Sequence, residues 1–129
     1  MGEAMKKTAQ GYFERDRCPL YTAIQTLEGR WKPMILQRLG RGGLGFGELR
    51  RSMAGVTAKV LREQLRQLET DDLVARIAAP KPGFRVQYRV TPHGKTLQPV
   101  LECLWTWGAM HLAHLNNLGK GLRSRGAAE

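Results

Sequence analysis

The sequence predicts a mainly α-helical domain with one small β-hairpin, an α+β fold. Leucines at helical spacing run through a polar segment at 57–71, two β-prone runs flank the turn KPGF, and a long apolar segment follows. With 129 residues, the chain is long enough for one domain around one core. We expect that domain at 18–117, between a partly mobile N-terminal arm at 1–17 and a flexible tail at 118–129.

Two helices are predicted before the glycine-rich segment at 40–47. The first, at 18–28, begins with Cys-Pro, and proline suits the first helical position because an amide there would have no partner. The second, in RWKPMILQRLG, has its apolar residues mainly on one side. The glycine-rich segment predicts a loop with a short strand at 44–46. It lacks the Gly-Lys-Ser/Thr ending of a phosphate-binding loop.

The central segment predicts a helix-turn-helix. GFGELRRSM forms a short third helix, AGV is a turn that contains a glycine, and a fourth helix spans 57–71. The Thr57 hydroxyl can cap the fourth helix by accepting a first-turn amide. The leucines of this helix share one face: Leu61, Leu65 and Leu68. Its basic residues lie mainly on the other face: Lys59, Arg62 and Arg66.

A β-hairpin and a final helix complete the predicted domain. LVARIAAP and RVQYRV are the strand candidates, and the second alternates apolar and polar residues. The segment at 80–86 between them is a basic tip. A Thr-Pro pair opens a final helix at 92–117, in which Pro99 predicts a kink or a late start. This order of elements is that of a winged helix-turn-helix, with 80–86 as the wing.

Positive charge is concentrated in the middle of the chain, whose formal net charge is +10. Nine Lys and Arg occur with two acidic residues between 30 and 66, and four occur with none between 76 and 89, whereas the rest of the chain sums to −1. This distribution is typical of a protein that binds a polyanion such as nucleic acid. A solvated basic face, or a surface for acidic lipids, is the alternative interpretation.

The fourth helix is predicted to enter the DNA major groove, which is about 12 Å wide and admits one α-helix. Arg62 is the candidate for a bidentate contact with guanine, and Lys59 is the candidate for a phosphate contact. The candidate DNA-binding residues on the helix, beside it and on the hairpin tip are Arg50, Arg51, Thr57, Ala58, Lys59, Arg62, Arg66, Lys81 and Arg85. For a single arginine, pairing with Glu63, Glu69 or solvent is the alternative.

Five motifs occur together in this chain. They are Cys-Pro at 18–19, Gly-x-Trp at 29–31, Phe-x-Glu-Leu at 46–49, Leu-x-x-x-Leu-x-x-Leu-Glu at 61–69 and Tyr-x-Val-Thr-x-x-Gly at 88–94. The combination resembles the HxlR family of bacterial winged-helix transcriptional regulators, part of the MarR-like superfamily. The resemblance implies a homodimer on a palindromic double-stranded DNA operator, with dimerisation helices at 18–28 and 92–117.

One position departs from the family pattern at the end of the fourth helix. Where the family usually has Asp-Gly-Leu, this chain has Asp71-Asp72-Leu73. Asp72 must then adopt the left-handed conformation that ends the helix, and aspartate tolerates this conformation less well than glycine does. We expect a local cost in stability and an unchanged fold.

The terminal helices carry more apolar residues than one small domain can cover. A large exposed apolar area is typical of a surface that binds a partner. The predicted dimer-interface residues are Leu20, Tyr21, Ile24, Leu104, Trp105, Trp107 and Leu112. The alternative is that the tryptophans pack on the core of their own domain, and we expect that one of them does.

Cys18 is a candidate redox sensor. It lies at a helix start with Arg15 and Arg17 nearby, and both features favour the reactive thiolate form of a cysteine, although nearby carboxylates oppose them. The family resemblance implies the same role, because some members sense electrophiles or oxidants through this Cys-Pro position. The alternatives are an idle cysteine, or a small-molecule effector bound between the terminal helices. Cys103 lies among apolar residues and is expected in the core.

Other classes of function have little support. Two cysteines are too few for a disulfide scaffold, no apolar run approaches the ~20 residues that span a bilayer, and the N terminus lacks a secretory signal. His111 and His114 could share a helix face, but no third ligand completes a metal set. We expect a cytoplasmic protein without enzyme activity, cofactor, metal or membrane partner. A DNA-binding protein without sequence preference stays open as an alternative to a regulator.

Overall fold

The computed structural model describes residues 18–79 and 81–128, with side chains as far as residue 119. The elements are α1 (Pro19–Thr26), α2 (Trp31–Leu39), α3 (Phe46–Arg51), α4 (Ala58–Thr70), β1 (Val74–Ile77), β2 (Gln87–Val90), α5 (Pro92–Lys95) and α6 (Gln98–Ala128). This is the mainly α-helical fold with one β-hairpin that the sequence predicted. The predicted arm at 1–17, and Pro80 of the predicted wing, lie outside the described residues.

The core lies between α2, α3 and α4, where helical spacing brings their apolar faces together. The buried apolar residues of α2 are Ile35, Leu36 and Leu39, those of α3 and the following turn are Leu49, Met53 and Val56, and those of α4 are Leu61, Leu65 and Leu68. Leu73 and Val74 close the core on the hairpin side. The helix-turn-helix is therefore anchored by its own apolar stripe.

Helix α4 ends at the position that the sequence predicted. Asp72 has φ 57°, and among the described residues no other non-glycine has a positive φ. The amide of Leu73 donates to the Leu68 carbonyl at 2.9 Å, and the amide of Asp72 donates to the Glu69 carbonyl at 3.0 Å. These two bonds form a Schellman motif, so the helix end is closed although aspartate stands in place of glycine.

The two strands pair in antiparallel register from Val74 opposite Val90 to Ile77 opposite Gln87. The sheet gains an isolated bridge in which Leu44 and Tyr88 exchange both backbone hydrogen bonds, at 3.1 and 2.7 Å. Of the strand expected at 44–46, only this bridge at Leu44 is present within the described residues. Because Leu44 lies just before α3, the bridge fixes the hairpin beside the helix-turn-helix.

The turn of the hairpin has the geometry that its KPGF sequence favours. The Phe84 amide donates to the Lys81 carbonyl at 3.1 Å, and Gly83 has φ 92°. Proline followed by a glycine with positive φ is the pattern of a type II turn. The turn exposes Lys81 and Arg85 to solvent.

Thr91 joins the hairpin to the end of α4. Its buried hydroxyl donates to the Asp72 carbonyl at 2.6 Å and accepts from the Gly94 amide, the N-cap bond of α5, at 2.8 Å. A Cβ on Gly94 would overlap the Leu73 carbonyl oxygen and lie 2.7 Å from Val90 Cγ1. Threonine and glycine at these two positions therefore permit a close approach that ties α4, β2 and α5 together.

The final helix differs from the continuous helix expected at 92–117. It is divided into the short α5 and the long α6, which begins at Gln98 so that Pro99 occupies its first turn. The predicted late start is therefore confirmed. Proline is tolerated in the first turn because no intrahelical amide bond is lost there. Helical backbone continues to Ala128, past the residue where a flexible tail was expected to begin. The glycines at 119 and 121 do not end it, since a single glycine costs a helix only about 1 kcal/mol.

Candidate nucleic-acid interface

Helices α3 and α4 and the turn between them form the helix-turn-helix. Gly55 adopts φ 89° in the turn, and Val56 is buried beneath it. At the start of α4, the Thr57 hydroxyl accepts a hydrogen bond from the Val60 amide at 3.1 Å. Thr57 is itself exposed, so this cap lies at the surface where the start of the helix would meet a ligand.

Helix α4 has one apolar and one basic face. Its three leucines are at most 1% exposed. The predicted DNA-binding side chains Lys59, Arg62 and Arg66 are exposed, and Ala58 is half-buried. The basic face is therefore free for a ligand, since the packing of the helix depends on the opposite face.

Arg62 lies on the side of α4 that faces α3 and the hairpin. Its guanidinium carbon lies over the Phe46 ring, 5.1 Å from the ring centroid. A cleft of about 520 Å³ opens beside this contact between α4 and the hairpin. The residues that line the cleft are Phe46, Arg62, Arg66, Glu69, Arg76 and Tyr88.

Arg76, on β1, was not selected as a site residue from the sequence. It belongs to the second block of positive charge, but strand alternation alone does not tell which loop or helix a strand residue faces. The cleft brings it together with Arg62 and Arg66, and Glu69 offsets part of their charge. The three arginines make this cleft a candidate site for DNA oxygens.

The remaining predicted site residues surround the helix-turn-helix. Arg50 and Arg51, at the end of α3, are exposed, and Arg50 Nε donates to the Val56 carbonyl at 3.4 Å. On the hairpin, the Lys81 ammonium lies 5.1 Å from the Phe84 ring centroid. Arg85 is exposed on the strand side of the same turn. All nine predicted residues therefore lie on α3, α4, their turn or the hairpin tip.

Lys32 is a second basic residue whose position the sequence analysis did not predict. It is only 8% exposed and lines a cavity with Arg66, Gln67, Thr70 and Asp71 at the C-terminal end of α4. A cation near a helix C terminus interacts favourably with the helix dipole. Sequence patterns do not predict this placement, because Lys32 lies on α2 and meets α4 only through tertiary packing.

The predicted dimer-interface residues are exposed on the terminal helices. The exposed fraction is 70% for Leu20, 58% for Ile24, 67% for Trp105 and 61% for Trp107. Tyr21, Leu104 and Leu112 are also exposed. The expectation that Trp105 or Trp107 packs into the core is wrong, because more than half of each side chain is exposed.

Both cysteines are exposed. Cys18 occupies the N-cap position of α1, where its carbonyl accepts from the Thr22 amide at 2.8 Å. Cys103 was expected in the core, and this expectation is wrong. Val100 and Leu104, two of its apolar neighbours in sequence, are exposed as well, whereas Leu101 on the same helix packs against the core.

An apolar groove of about 540 Å³ lies between α2 and α6. Its lining residues are Pro33, Gln37, Gln98, Leu101, Glu102, Leu104, Trp105 and Thr106. On the next turns of α6, the Trp107 and His111 rings stack at 4.7 Å. Among the described residues, no group of three His, Cys, Asp or Glu is placed to bind a metal ion, and no helix is long and apolar enough to cross a membrane.

The fold and the basic face define a winged helix-turn-helix protein, the class whose second motif helix contacts DNA. The HxlR-like helix-turn-helix family matches residues 26–116, and the chain belongs to this family. A relative from Methanothermobacter thermautotrophicus, an uncharacterised HTH-type transcriptional regulator, is 35% identical over 80% of this chain and 79% of its own length.

Two solved structures resemble the chain closely. YtcD of Bacillus subtilis, an HTH-type transcriptional regulator, has a TM-score of 0.67 and 34% identity, and the match covers 73% of this chain and 96% of YtcD. The redox regulator HypR in its reduced form has a TM-score of 0.72 and 29% identity, over 77% of this chain and 98% of HypR. The chain is therefore a helix-turn-helix transcriptional regulator.

Proposed function

We propose that this regulator binds a specific double-stranded DNA operator as a homodimer, with α4 in the major groove and the hairpin tip as the wing. The observation that carries the proposal is the exposed basic face of α4, which is fixed to the core by Leu61, Leu65 and Leu68 on its opposite face. An α-helix fits the major groove, where every base pair presents a distinct pattern of donors and acceptors.

The proposed contacts divide into two kinds. Arg62 reaches a guanine edge in the major groove, and Thr57 and Ala58 lie near enough to the helix start to touch a thymine methyl or a phosphate. Phosphates are the partners of the other basic residues of the motif and the wing. These residues are Arg50, Arg51, Lys59, Arg66, Lys81 and Arg85.

The exposed apolar faces of the terminal helices support the dimer. Leu20, Tyr21 and Ile24 of α1 are exposed, as are Leu104, Trp105, Trp107 and Leu112 of α6. So large an apolar area is typical of an interaction surface, and a second copy of the chain offers the same apolar faces. In the dimer, two α4 helices about 34 Å apart would contact two half-sites related by two-fold symmetry.

The experiment that tests the operator is a selection from random double-stranded DNA at two salt concentrations. A two-fold symmetric motif that persists at the higher salt is expected, because base contacts leave a preference that counterion release does not remove. Enrichment without any motif would refute sequence-specific binding and favour a DNA-binding protein that contacts phosphates alone.

Light scattering tests the dimer independently of DNA. We expect a mass of twice the 14.5 kDa chain at micromolar concentration. Trp105→Lys should shift the protein towards the monomer, since it places a charge in the proposed interface. The matched control is Arg41→Lys, an exposed position in the loop after α2. A monomeric wild-type protein would contradict the two-half-site proposal.

A redox response through Cys18 is a second proposed property. The thiol is exposed at the start of α1, the helix whose apolar residues belong to the proposed interface. HypR, to which this chain is similar, has been solved in reduced and oxidised forms. A mild thiol oxidant is expected to weaken operator binding of the wild-type protein and not of Cys18→Ser. Equal loss in both proteins would exclude Cys18 as the sensor, and Cys103→Ser would test the other thiol.

The groove between α2 and α6 favours a different signal, a small apolar effector. Leu101, Leu104 and Trp105 supply apolar surface, and Gln37, Gln98 and Glu102 supply polar groups that would orient a ligand. A screen for compounds that raise the melting temperature of the wild-type protein, with Leu101→Trp as the blocked control, tests this alternative. An effect that persists in Leu101→Trp would place the ligand elsewhere.

A further inference from the structure

Phe46 and Arg62 connect the two helices of the motif through a ring and a guanidinium. Arg62 Cζ lies over the Phe46 ring at 5.1 Å from its centroid. Within about 6 Å, a guanidinium is attracted to the negative face of an aromatic ring. The contact lies on the hairpin side of α4, at the cleft that Arg66 and Arg76 also line.

The two partners differ in how firmly the fold holds them. Phe46 is half-buried and packs against the core, and it is the first residue of α3. The start of α3 is itself fixed, because the Gly45 amide donates to the Glu48 carboxylate at 3.0 Å. Arg62 is exposed on a long side chain, which alone would sample many rotamers. The ring therefore restricts the arginine.

The contact restricts Arg62 without occupying its donors. The five N–H groups of a guanidinium point outward in its own plane, whereas the ring attracts the guanidinium as a cation. A carboxylate partner would instead have accepted two of those N–H bonds. Arg62 can thus stay ordered beside Phe46 and still present a pair of donors to the O6 and N7 acceptors of guanine.

We propose that Phe46 is a positioning residue that holds the Arg62 guanidinium ready for base recognition. This inference rests on the proposed function of α4. An exposed cation–π contact of this kind corresponds to about a 2- to 5-fold effect on an equilibrium constant. The preference of the protein for the base pair that Arg62 contacts should change by that factor when the ring is removed.

The experiment is a double-mutant cycle on the full chain with Phe46→Leu, Arg62→Ala and the double variant. The Arg62→Ala variant first identifies the operator position at which base preference is lost. Affinity is then measured for the selected operator and for operators with each of the other base pairs at that position. Phe46→Leu should reduce that preference about 2- to 5-fold and should have no further effect on it in the Arg62→Ala background. Phe46→Tyr, which keeps the ring face, should retain the wild-type preference.

Other outcomes would overturn the inference. A preference unchanged in Phe46→Leu, or the same loss with and without Arg62, would give Phe46 a packing role alone. These outcomes refute the role of Phe46 while the proposed function of α4 stands. A wild-type protein without any base preference would instead refute the proposed function, so the two failures are distinguishable.

A measurement on the free wild-type protein does not depend on whether the variants fold. The Arg62 side-chain protons should be shifted upfield by the Phe46 ring current in the NMR spectrum. Chemical shifts of the Arg62 side chain at random-coil values would refute the proposed positioning of Arg62 by Phe46.

Discussion

Replacement of Thr91 by valine should destabilise the protein by about 2 kcal/mol, because valine keeps the shape of threonine and lacks its hydroxyl. That hydroxyl is the N-cap of α5, and loss of such a cap costs about 1 kcal/mol. It also donates to the Asp72 carbonyl at 2.6 Å, and a net hydrogen bond contributes about 1 kcal/mol. The Gly94 amide would be left without its partner in a buried site, so solvent offers little compensation.

Urea unfolding at one fixed protein concentration measures this change, because the stability of a dimer depends on concentration. Thr91→Ser is the matched control, since it keeps the hydroxyl and loses only a methyl group, and it should be less destabilising than Thr91→Val. In the valine variant, the Gly94 amide should also exchange with solvent faster. A loss below about 0.5 kcal/mol, the range of ordinary surface substitutions, would refute the assignment of Thr91 as the tie between α4 and α5.

Three further predictions follow from the same region and from α4. Asp72→Gly should raise the free energy of unfolding, measured by urea titration, by about 0.5 kcal/mol, because glycine adopts φ 57° without strain and a negative charge is removed from the helix C terminus. A decrease in the free energy of unfolding would contradict this prediction. Gly94→Ala should lower the free energy of unfolding by about 1–3 kcal/mol, since its Cβ would overlap the Leu73 carbonyl oxygen. A loss well under about 1 kcal/mol would mean that the backbone shifts freely. Lys59→Ala should weaken binding to all DNA sequences alike and reduce the slope of log K against log salt by about 0.9, whereas a sequence-dependent loss would assign Lys59 to a base.

Features that depend on neighbours in sequence were predictable. The spacing of Leu61, Leu65 and Leu68 determines one face of α4, and Thr57 caps that helix through a bond to Val60, three residues away. The left-handed end at Asp72 was expected from the resemblance to the HxlR family, in which glycine usually occupies this position. In each case the physical cause acts within one or two helical turns, so the sequence pattern contains it.

Features that depend on tertiary contacts were not predictable. Periodicity assigns Arg62 to a polar face, but it does not say that Phe46, sixteen positions earlier, lies beside that face. The position of Arg76 in the same cleft depends on the angle between the hairpin and α4, which the bridge between Leu44 and Tyr88 helps to fix. Such angles result from packing across the whole core.

The exposure of Cys103 shows a different limit of sequence patterns. Apolar neighbours predict that a helix face is covered, but they do not tell whether the cover comes from the same chain. Cys103 lies on α6, where Leu104 and Trp105 are exposed as well. In the sequence, the apolar residues of a surface that binds another molecule cannot be told from those of a hydrophobic core.

Helix α4 has its packing face and its proposed recognition face on opposite sides, and this division affects how the protein can evolve. Substitutions at Lys59 or Arg66 on the exposed face change no core contact, and such changes usually alter stability by less than about 0.5 kcal/mol. Because both residues are proposed to contact phosphates, gene duplicates of this regulator could change their affinity for DNA of any sequence at these positions while the fold is inherited intact. Arg62 is the exception, because a substitution there would also remove its contact with the Phe46 ring. We therefore expect the two positions to change together in descendants of this chain.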